Sequence, residues 1–368
     1  MSNQRFGMKR REALRLLGIG AGAGLLPSVT DAAIAALAKQ PTRSPAADGI
    51  PSGAIVRTLL EDVPPASLAT VLFHEHLSIN LRPAQPRPAG APPPPTQNVD
   101  MILELVKRAG REGVSCIVDG GHPDMGRDLA ALKRMAAETD VHIVASGGYY
   151  MERTYPPEVA SKSEQEVASD LEEEARASRY GAFGEIGQMP NLAEMTANER
   201  KVFAAVGRAH VRTGIPIFTH NAYGTGPNVR PDAGLRQLDV LESVGVNPRH
   251  VAIGHSCCLD DLKADIFRQI AKRGAFVGFD RVTTVQQIMP DATKVQMVLA
   301  ILEAGLADQL LLSADFTGQR TLEDGPGYAR TVTVFLPLLR QAGVKDEVLQ
   351  NIMTNNARRF LAFVPRNG

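Results

Sequence analysis

Eight short apolar runs recur along the chain, at 71–76, 114–119, 142–146, 183–186, 216–220, 251–255, 276–280 and 310–315. Most are continuous Val, Ile, Leu or Phe with little polar alternation, as expected of strands covered on both faces. Stretches with helical periodicity lie between them, at 100–112, 126–138, 163–180, 196–213, 235–244, 259–273 and 294–304. Two more, 328–342 and 345–362, read as closing helices. Parallel neighbours need a long crossover, and a helix is the usual one. Eight strand–helix units with no break in composition therefore predict an α/β chain folded as a (β/α)8 TIM barrel over 51–368, rather than an open doubly wound sheet.

The polar residues at the carboxyl ends of these strands carry the chemistry, because that face of a barrel forms the active site. The first strand ends Val71-Leu72-Phe73-His74-Glu75-His76. Residues two apart on a strand point the same way, so His74 and His76 can hold one divalent metal. Later strand ends supply Glu185 in the fourth, His220 in the fifth, His255 in the sixth and Asp315 in the eighth. Four imidazoles and two carboxylates exceed the needs of one tetrahedral zinc. They suit two ions that share a bridging carboxylate, about 3.5–4 Å apart, and that lower the pKa of a bridging water to near 7.

Composition narrows the alternatives. Lys plus Arg and Asp plus Glu balance at 40 each, so no bulk field favours nucleic acid. Three Cys, two of them adjacent as Cys257-Cys258, are a poor basis for a disulfide framework and read as small buried residues. Residues 1–38 carry a basic start, Lys9-Arg10-Arg11, then a Gly- and Ala-rich stretch too short to span a bilayer. Arg10-Arg11-Glu12-Ala13-Leu14 resembles a twin-arginine export motif, which predicts a periplasmic protein with no stable membrane span once the signal is removed. Residues 39–50 read as a linker. The Pro-rich segment 82–96 reads as a solvated loop after the first strand, and 316–327 as a loop after the eighth.

The chain resembles the phosphotriesterase family of the amidohydrolase superfamily from about Val71 to Phe363. The motifs are His74-Glu75-His76, Val118-Asp119 with Gly126-Arg127-Asp128, Val141-His142-Ile143-Val144-Ala145, Thr219-His220, Ile253-Gly254-His255-Ser256, Gly278-Phe279-Asp280-Arg281 and Asn355-Asn356-Ala357-Arg358. The resemblance implies that His74, His76 and Asp315 hold the more buried metal, and His220 and His255 the more exposed one. It implies a bridging hydroxide that attacks the ester centre while Asp315 handles the proton, and Zn as the expected metal, with Mn or Co as alternatives. Relatives are often dimers, which makes a homodimer an expectation by analogy.

There are three departures. Better-known members bridge the metals with a carboxylated lysine where this chain has Glu185, although some relatives use glutamate. Efficient phosphotriesterases carry a relay histidine where this chain has Arg281, as in the lactonase-like branch. The relay's further carboxylate is replaced by Cys258. Tyr149 matches a pocket tyrosine of the lactonase-like relatives, and it and Arg281 are candidate substrate contacts; each also has a plain structural reading, as a rim aromatic and as a partner for a nearby acid such as Asp280. His122, His142, His210 and His250 lie off the strand-end pattern and read as structural or surface residues.

The expected function is metal-dependent hydrolysis of a small ester, whether lactone, carboxylic ester or phosphotriester. Asp315, Glu185 and Arg281 are its candidate catalytic residues. The alternative is an exported metal- or ligand-binding barrel with little or no catalysis.

Overall fold

A computed structural model of the protein describes residues 49–366 apart from 82–94, 191, 227 and 319–324. The chain divides into two units, Met1–Pro41 and Thr42–Gly368. The first lies outside the described residues, and with it the segment read as an export signal; so does most of the Pro-rich loop. Among the described residues no helix is long and apolar enough to cross a membrane.

A small antiparallel pair, β1 (Val56–Arg57) and β2 (Asp62–Val63), precedes the barrel. The barrel strands follow in chain order: β3 (Thr70–Glu75), β4 (Val114–Asp119), β5 (His142–Gly147), β6 (Ala182–Gly187), β7 (Ile217–His220), β8 (Val251–Ile253), β9 (Phe276–Phe279) and β10 (Leu310–Leu312). Each pairs in parallel with the next, giving the order β10-β9-β8-β7-β6-β5-β4-β3. Helices Val99–Arg111, Leu129–Ala137, Glu164–Ser178, Ala197–Thr213, Ala233–Ser243, Asp265–Arg273 and Asp291–Glu303 make the crossovers. The (β/α)8 barrel expected from the apolar runs is the fold of this chain.

Local chemistry sets the helix starts. Asn98, Asp128, Ser163 and Thr196 each accept a hydrogen bond from a first-turn N–H, and Glu166 and Glu199 complete capping boxes with Ser163 and Thr196. One apolar cluster fills the barrel, with Val71, Phe73, Cys116, Val118, Val144, Ala182, Phe218, Ala252 and Leu311. A larger one lies between strands and helices, including Leu72, Ile117, Ile143, Ile217 and Ile253. Continuous apolar runs were needed because both faces of each strand are buried.

Two strands stop two or more residues short of the ends of their apolar runs. The sixth and eighth were expected to reach His255 and Asp315, but β8 stops at Ile253 and β10 at Leu312. A ladder requires extended backbone, and His255 (φ 56°) and Asp315 (φ 49°) are left-handed. The segment 328–342 also departs from a plain helix, with a π-helical turn over Thr331–Phe335 before Leu336–Gln341.

The barrel closes between β3 and the segment after β10. Asp315 N–H donates to His74 O (3.2 Å) and His76 N–H to Phe316 O (3.0 Å). Ser313 Oγ–H donates to His74 O (2.8 Å).

Away from this mouth, His210 is buried at 3 % exposure beside His250, with ring centroids 5.3 Å apart. Its Nδ1–H donates to Ile215 O at 2.7 Å. Burial pushes His210 down to about 4, with His250 and Arg366 adding to the effect against the Ile215 hydrogen bond. The fold therefore keeps it neutral, and the unfolded chain takes up the proton first as pH falls below about 6.5. The stabilisation is complete above that pH and declines toward pH 4. His210→Asn keeps a donor for Ile215 and removes the titration. Denaturant unfolding at pH 7 and pH 5 should show the native chain losing about 2 kcal/mol more than this variant. Equal losses in the two proteins would remove His210 from the acid response.

Candidate metal centre

The predicted ligands converge at the barrel mouth. His74 and His76 end the first barrel strand, where register shifts between Leu72 and Glu75 re-aim the side chains. The His74 ring lies against Phe218 of the inner core, 4.9 Å between centroids. Glu185 sits within β6 and His220 closes β7. His255 and Asp315 follow β8 and β10 in their left-handed turns. Non-glycine residues hold such backbone only where surrounding structure enforces it, and such sites cluster where function does.

Distances divide the ligands into two sets. His76 Nε2 lies 3.0 Å from Asp315 Oδ1 and 3.2 Å from Glu185 Oε1. His74 Nε2 is 3.4 Å from Glu185 Oε2 and 3.7 Å from Asp315 Oδ1. On the other side, His220 Nδ1 is 2.7 Å and His255 Nε2 3.3 Å from Glu185 Oε2. Donor atoms of His74, His76, Glu185 and Asp315 all lie within 4.8 Å of one another, and so do those of Glu185, His220 and His255. Glu185 belongs to both sets.

Hydrogen bonds among these groups do not account for all of their buried nitrogens. His74 Nε2 is buried and makes no hydrogen bond. His255 Nε2 and His220 Nδ1 face each other at 2.9 Å, a contact in which only one can carry a proton. Convergent, deeply buried imidazole and carboxylate atoms of this kind fit divalent ions that accept N and O ligands, such as Zn, Mn or Co. The residues thus fit two ions sharing Glu185.

The electrostatics agree. Burial opposes ionisation of Glu185, yet His220 and His74 hold its carboxyl well below the usual range. Burial likewise opposes ionisation of Asp315, and Arg281 and His76 outweigh it. Burial opposes charge on His76 too, but Asp315 and Glu185 push it up to about 10. Burial pushes His220 down to about 4, against the pull of Glu185. Large opposed shifts in one cleft are typical of functional sites.

Asp280 organises both sets. Its Oδ2 accepts from His74 Nδ1–H (2.8 Å), and its Oδ1 accepts from His255 Nδ1–H (2.9 Å) and from the His255 N–H (2.7 Å). With Nδ1 protonated in both rings, both Nε2 lone pairs face the centre. His220 is turned the other way: its Nδ1 faces Glu185 and its Nε2 lies 3.5 Å from the Tyr150 hydroxyl. Gly120 leaves room for the first pair, since a Cβ there would sit 3.0 Å from His74 Nε2 and 3.1 Å from His76 Cε1. Asp119 shapes the turn after His76, its Oδ1 accepting from Leu77 N–H (2.7 Å) and Ser78 N–H (3.2 Å).

Asp280→Asn should weaken metal binding by about 10–100-fold. The amide keeps one acceptor oxygen and turns an N–H toward the other histidine. Metal titration of the stripped protein checks this; unchanged affinity would show that Asp280 does not fix the rings.

Arg281 and Tyr149 are placed differently from each other. Arg281 Nε donates to Asp315 Oδ2 at 2.8 Å, so its acid partner is Asp315 and not Asp280. Its side chain is 11 % exposed, and its Nη1 is buried without a hydrogen-bond partner. Tyr149 is not brought to the ligands. Its ring packs on Tyr155, 5.9 Å between centroids, and its phenol, raised by burial, lies in the field of Glu174 and Asp170. The adjacent Tyr150 is the tyrosine beside a candidate ligand, with its ring 4.9 Å from that of His220. Two neighbouring tyrosines in a loop carry no signal of which one turns inward.

Cys257 and Cys258 are buried, and the Cys257 thiol accepts the Arg281 N–H at 3.3 Å. Neither belongs to a ligand set among the described residues. His122 is buried with its Nδ1 on Asp124 (3.0 Å), and His142 is half-buried at the start of β5. Neither belongs to a ligand set among the described residues, nor do His210 and His250.

The Phosphotriesterase family model matches residues 54–361. A phosphotriesterase homology protein of Escherichia coli is 31% identical over 304 residues, covering 78% of this chain and 96% of that protein. Its crystal structure, complexed with phosphate in the active site, matches with a TM-score of 0.69 at 28% identity, over 80% of this chain and 99% of the other. The aryldialkylphosphatase of Saccharolobus solfataricus is 27% identical, covering 70% of this chain and 83% of that enzyme. The N-acetyltaurine hydrolase of Rattus norvegicus is 25% identical, covering 84% and 98%. The family match spans nearly all of the barrel and every ligand in both sets, and the chain belongs to the phosphotriesterase family.

Proposed function

We propose that this protein is a metal-dependent hydrolase that cleaves an ester bond of a small molecule, with two divalent ions held by the two ligand sets. The observation that carries the reading is Glu185, common to both sets and turned between them. Divalent ions held there would supply Lewis-acid polarisation of the scissile P=O or C=O and a more acidic water at neutral pH. His74, His76, His220 and His255 hold and orient them, with Asp280 fixing two of the rings.

The proton released in hydrolysis passes to Asp315. Its Oδ1 faces His76, and its Oδ2 holds Arg281. The Arg281 Nη1, buried and without a partner, offers an N–H to the oxygen that gains negative charge. The Tyr150 phenol, beside His220, is placed to contact the substrate's carbonyl or phosphoryl oxygen.

Substrate choice rests on the loops. The named activities of the relatives support a hydrolase and span phosphorus esters and an N-acyl amide. A lactone or carboxylic ester is our first choice, since Arg281 stands where efficient phosphotriesterases carry a relay histidine. Zn is our first choice of metal. The test is a screen of lactones, aryl esters, phosphotriesters and N-acyl amides against protein loaded with Zn, Mn or Co. Metal-dependent ester turnover is expected. Turnover of amides alone would overturn the bond class, and no turnover with tight ligand binding would favour a binding protein.

A further inference from the structure

The residue between the two candidate metal-binding histidines directs its carboxyl group to the chain around Asp315 and joins neither ligand set. Glu75 points away from them and is fully buried. Its Oε1 accepts from Ala314 N–H (2.8 Å) and lies 2.7 Å from Ser313 Oγ, whose one proton is shared with His74 O, and its Oε2 accepts from Phe316 N–H (2.8 Å). The two amides are those immediately before and after Asp315. One carboxylate therefore grips the chain on both flanks of a metal ligand.

Asp315 itself is left-handed, with φ 49°. Asp enters this region more readily than most residues, yet holding it there still costs free energy that its surroundings must offset. Glu75 fixes the amides of the residues before and after Asp315, the Asp315 N–H goes to His74 O, and together these set the direction in which its carboxylate leaves the backbone. The same strand end presents His74 and His76, the other ligands of that set. Tyr328 O–H adds a bond to His76 O at 2.7 Å. Ser313 acts differently, because its hydroxyl joins His74 O to Glu75 and laces the barrel seam without touching either flanking amide.

We propose that Glu75 is the positioning residue for Asp315, holding its backbone in the ligating conformation before any metal arrives. The inference rests on the reading of the two ligand sets as a metal centre. It gives the middle residue of His74-Glu75-His76 a role separate from ligation. It also makes a selective claim. The set of His74, His76, Glu185 and Asp315 depends on Glu75, whereas His220 and His255 make none of its contacts.

Glu75→Gln keeps the size of the side chain. Its amide oxygen can still accept from Ala314, but its NH2 faces the Phe316 N–H donor to donor. Protein stripped by chelator is titrated with Zn2+ for the native chain, Glu75→Gln and Ser313→Ala, and thermal unfolding is recorded for each. Glu75→Gln should lose about tenfold or more in affinity at one of two sites, with the other close to unchanged. Ser313→Ala should lower the melting temperature with both affinities close to unchanged. Equal weakening of both sites in Glu75→Gln, or weakening of neither, would overturn the proposal.

Amide hydrogen exchange across 313–316 in the stripped native chain gives a second readout, which decides the matter if Glu75→Gln does not fold. The Ala314 and Phe316 amides should be protected without metal. Free exchange that slows only on adding Zn2+ would show that the ion, not Glu75, sets the segment. Should the native chain take up no Zn2+, the metal-centre reading fails, and the exchange result still reports whether Glu75 holds the segment.

Discussion

Asp315→Asn should lower kcat by about 10³-fold while thermal unfolding stays close to that of the native chain, within the range expected for loss of a proton-handling group. Asparagine has nearly the same shape, but it cannot satisfy both neighbours. Asp315 Oδ1 faces His76 Nε2 and Oδ2 accepts from Arg281 Nε. An amide placed in that gap turns its NH2 either toward the ligand set, where it displaces an anionic ligand, or toward Arg281, where donor meets donor. The fold should tolerate the change, because Asp315 keeps its backbone bonds and its side chain is 12 % exposed. The measurement is kcat at matched metal content, together with a melting curve. Retention of most of the native kcat would remove Asp315 from the chemistry.

Glu185→Gln should be about as damaging, by a different route. The substitution removes the charge that both ligand sets share, and Glu185 is 2 % exposed. His76 lies 3.2 Å from one of its oxygens, and His220 and His255 lie 2.7 and 3.3 Å from the other. A glutamine presents one acceptor and one NH2, so one of the sets loses its shared ligand. We expect metal content to fall from two ions to one or fewer per chain, and turnover to fall by about 10³-fold, several kcal/mol of transition-state stabilisation. Metal analysis of the dialysed variant and its kcat check this. Two tightly held ions in the variant would mean that Glu185 does not bridge.

The barrel was legible because its strands are buried on both faces. Burial of that kind leaves continuous apolar runs, and β4 coincides with the run at 114–119. The six candidate ligands were legible because they are metal-binding residue types standing in or just after such runs. Less visible were groups whose work is a hydrogen bond across the sequence. Asp280 reaches His74 over 206 positions, and Glu75 reaches Phe316 over 241. Only the closed barrel brings these pairs together. Strand ends at His255 and Asp315 were overestimated because apolar continuity does not report a left-handed turn. Tyr149 and Tyr150 differ in which one faces His220, and a one-residue step in a loop carries no periodicity to show it.

The most direct test of a shared-carboxylate metal centre is anomalous X-ray diffraction from Zn-loaded crystals. Two peaks about 3.5–4 Å apart are expected, one among His74, His76 and Asp315 and the other between His220 and His255, with Glu185 touching both. A single peak, or two that leave Glu185 without contact to either ion, would contradict the account.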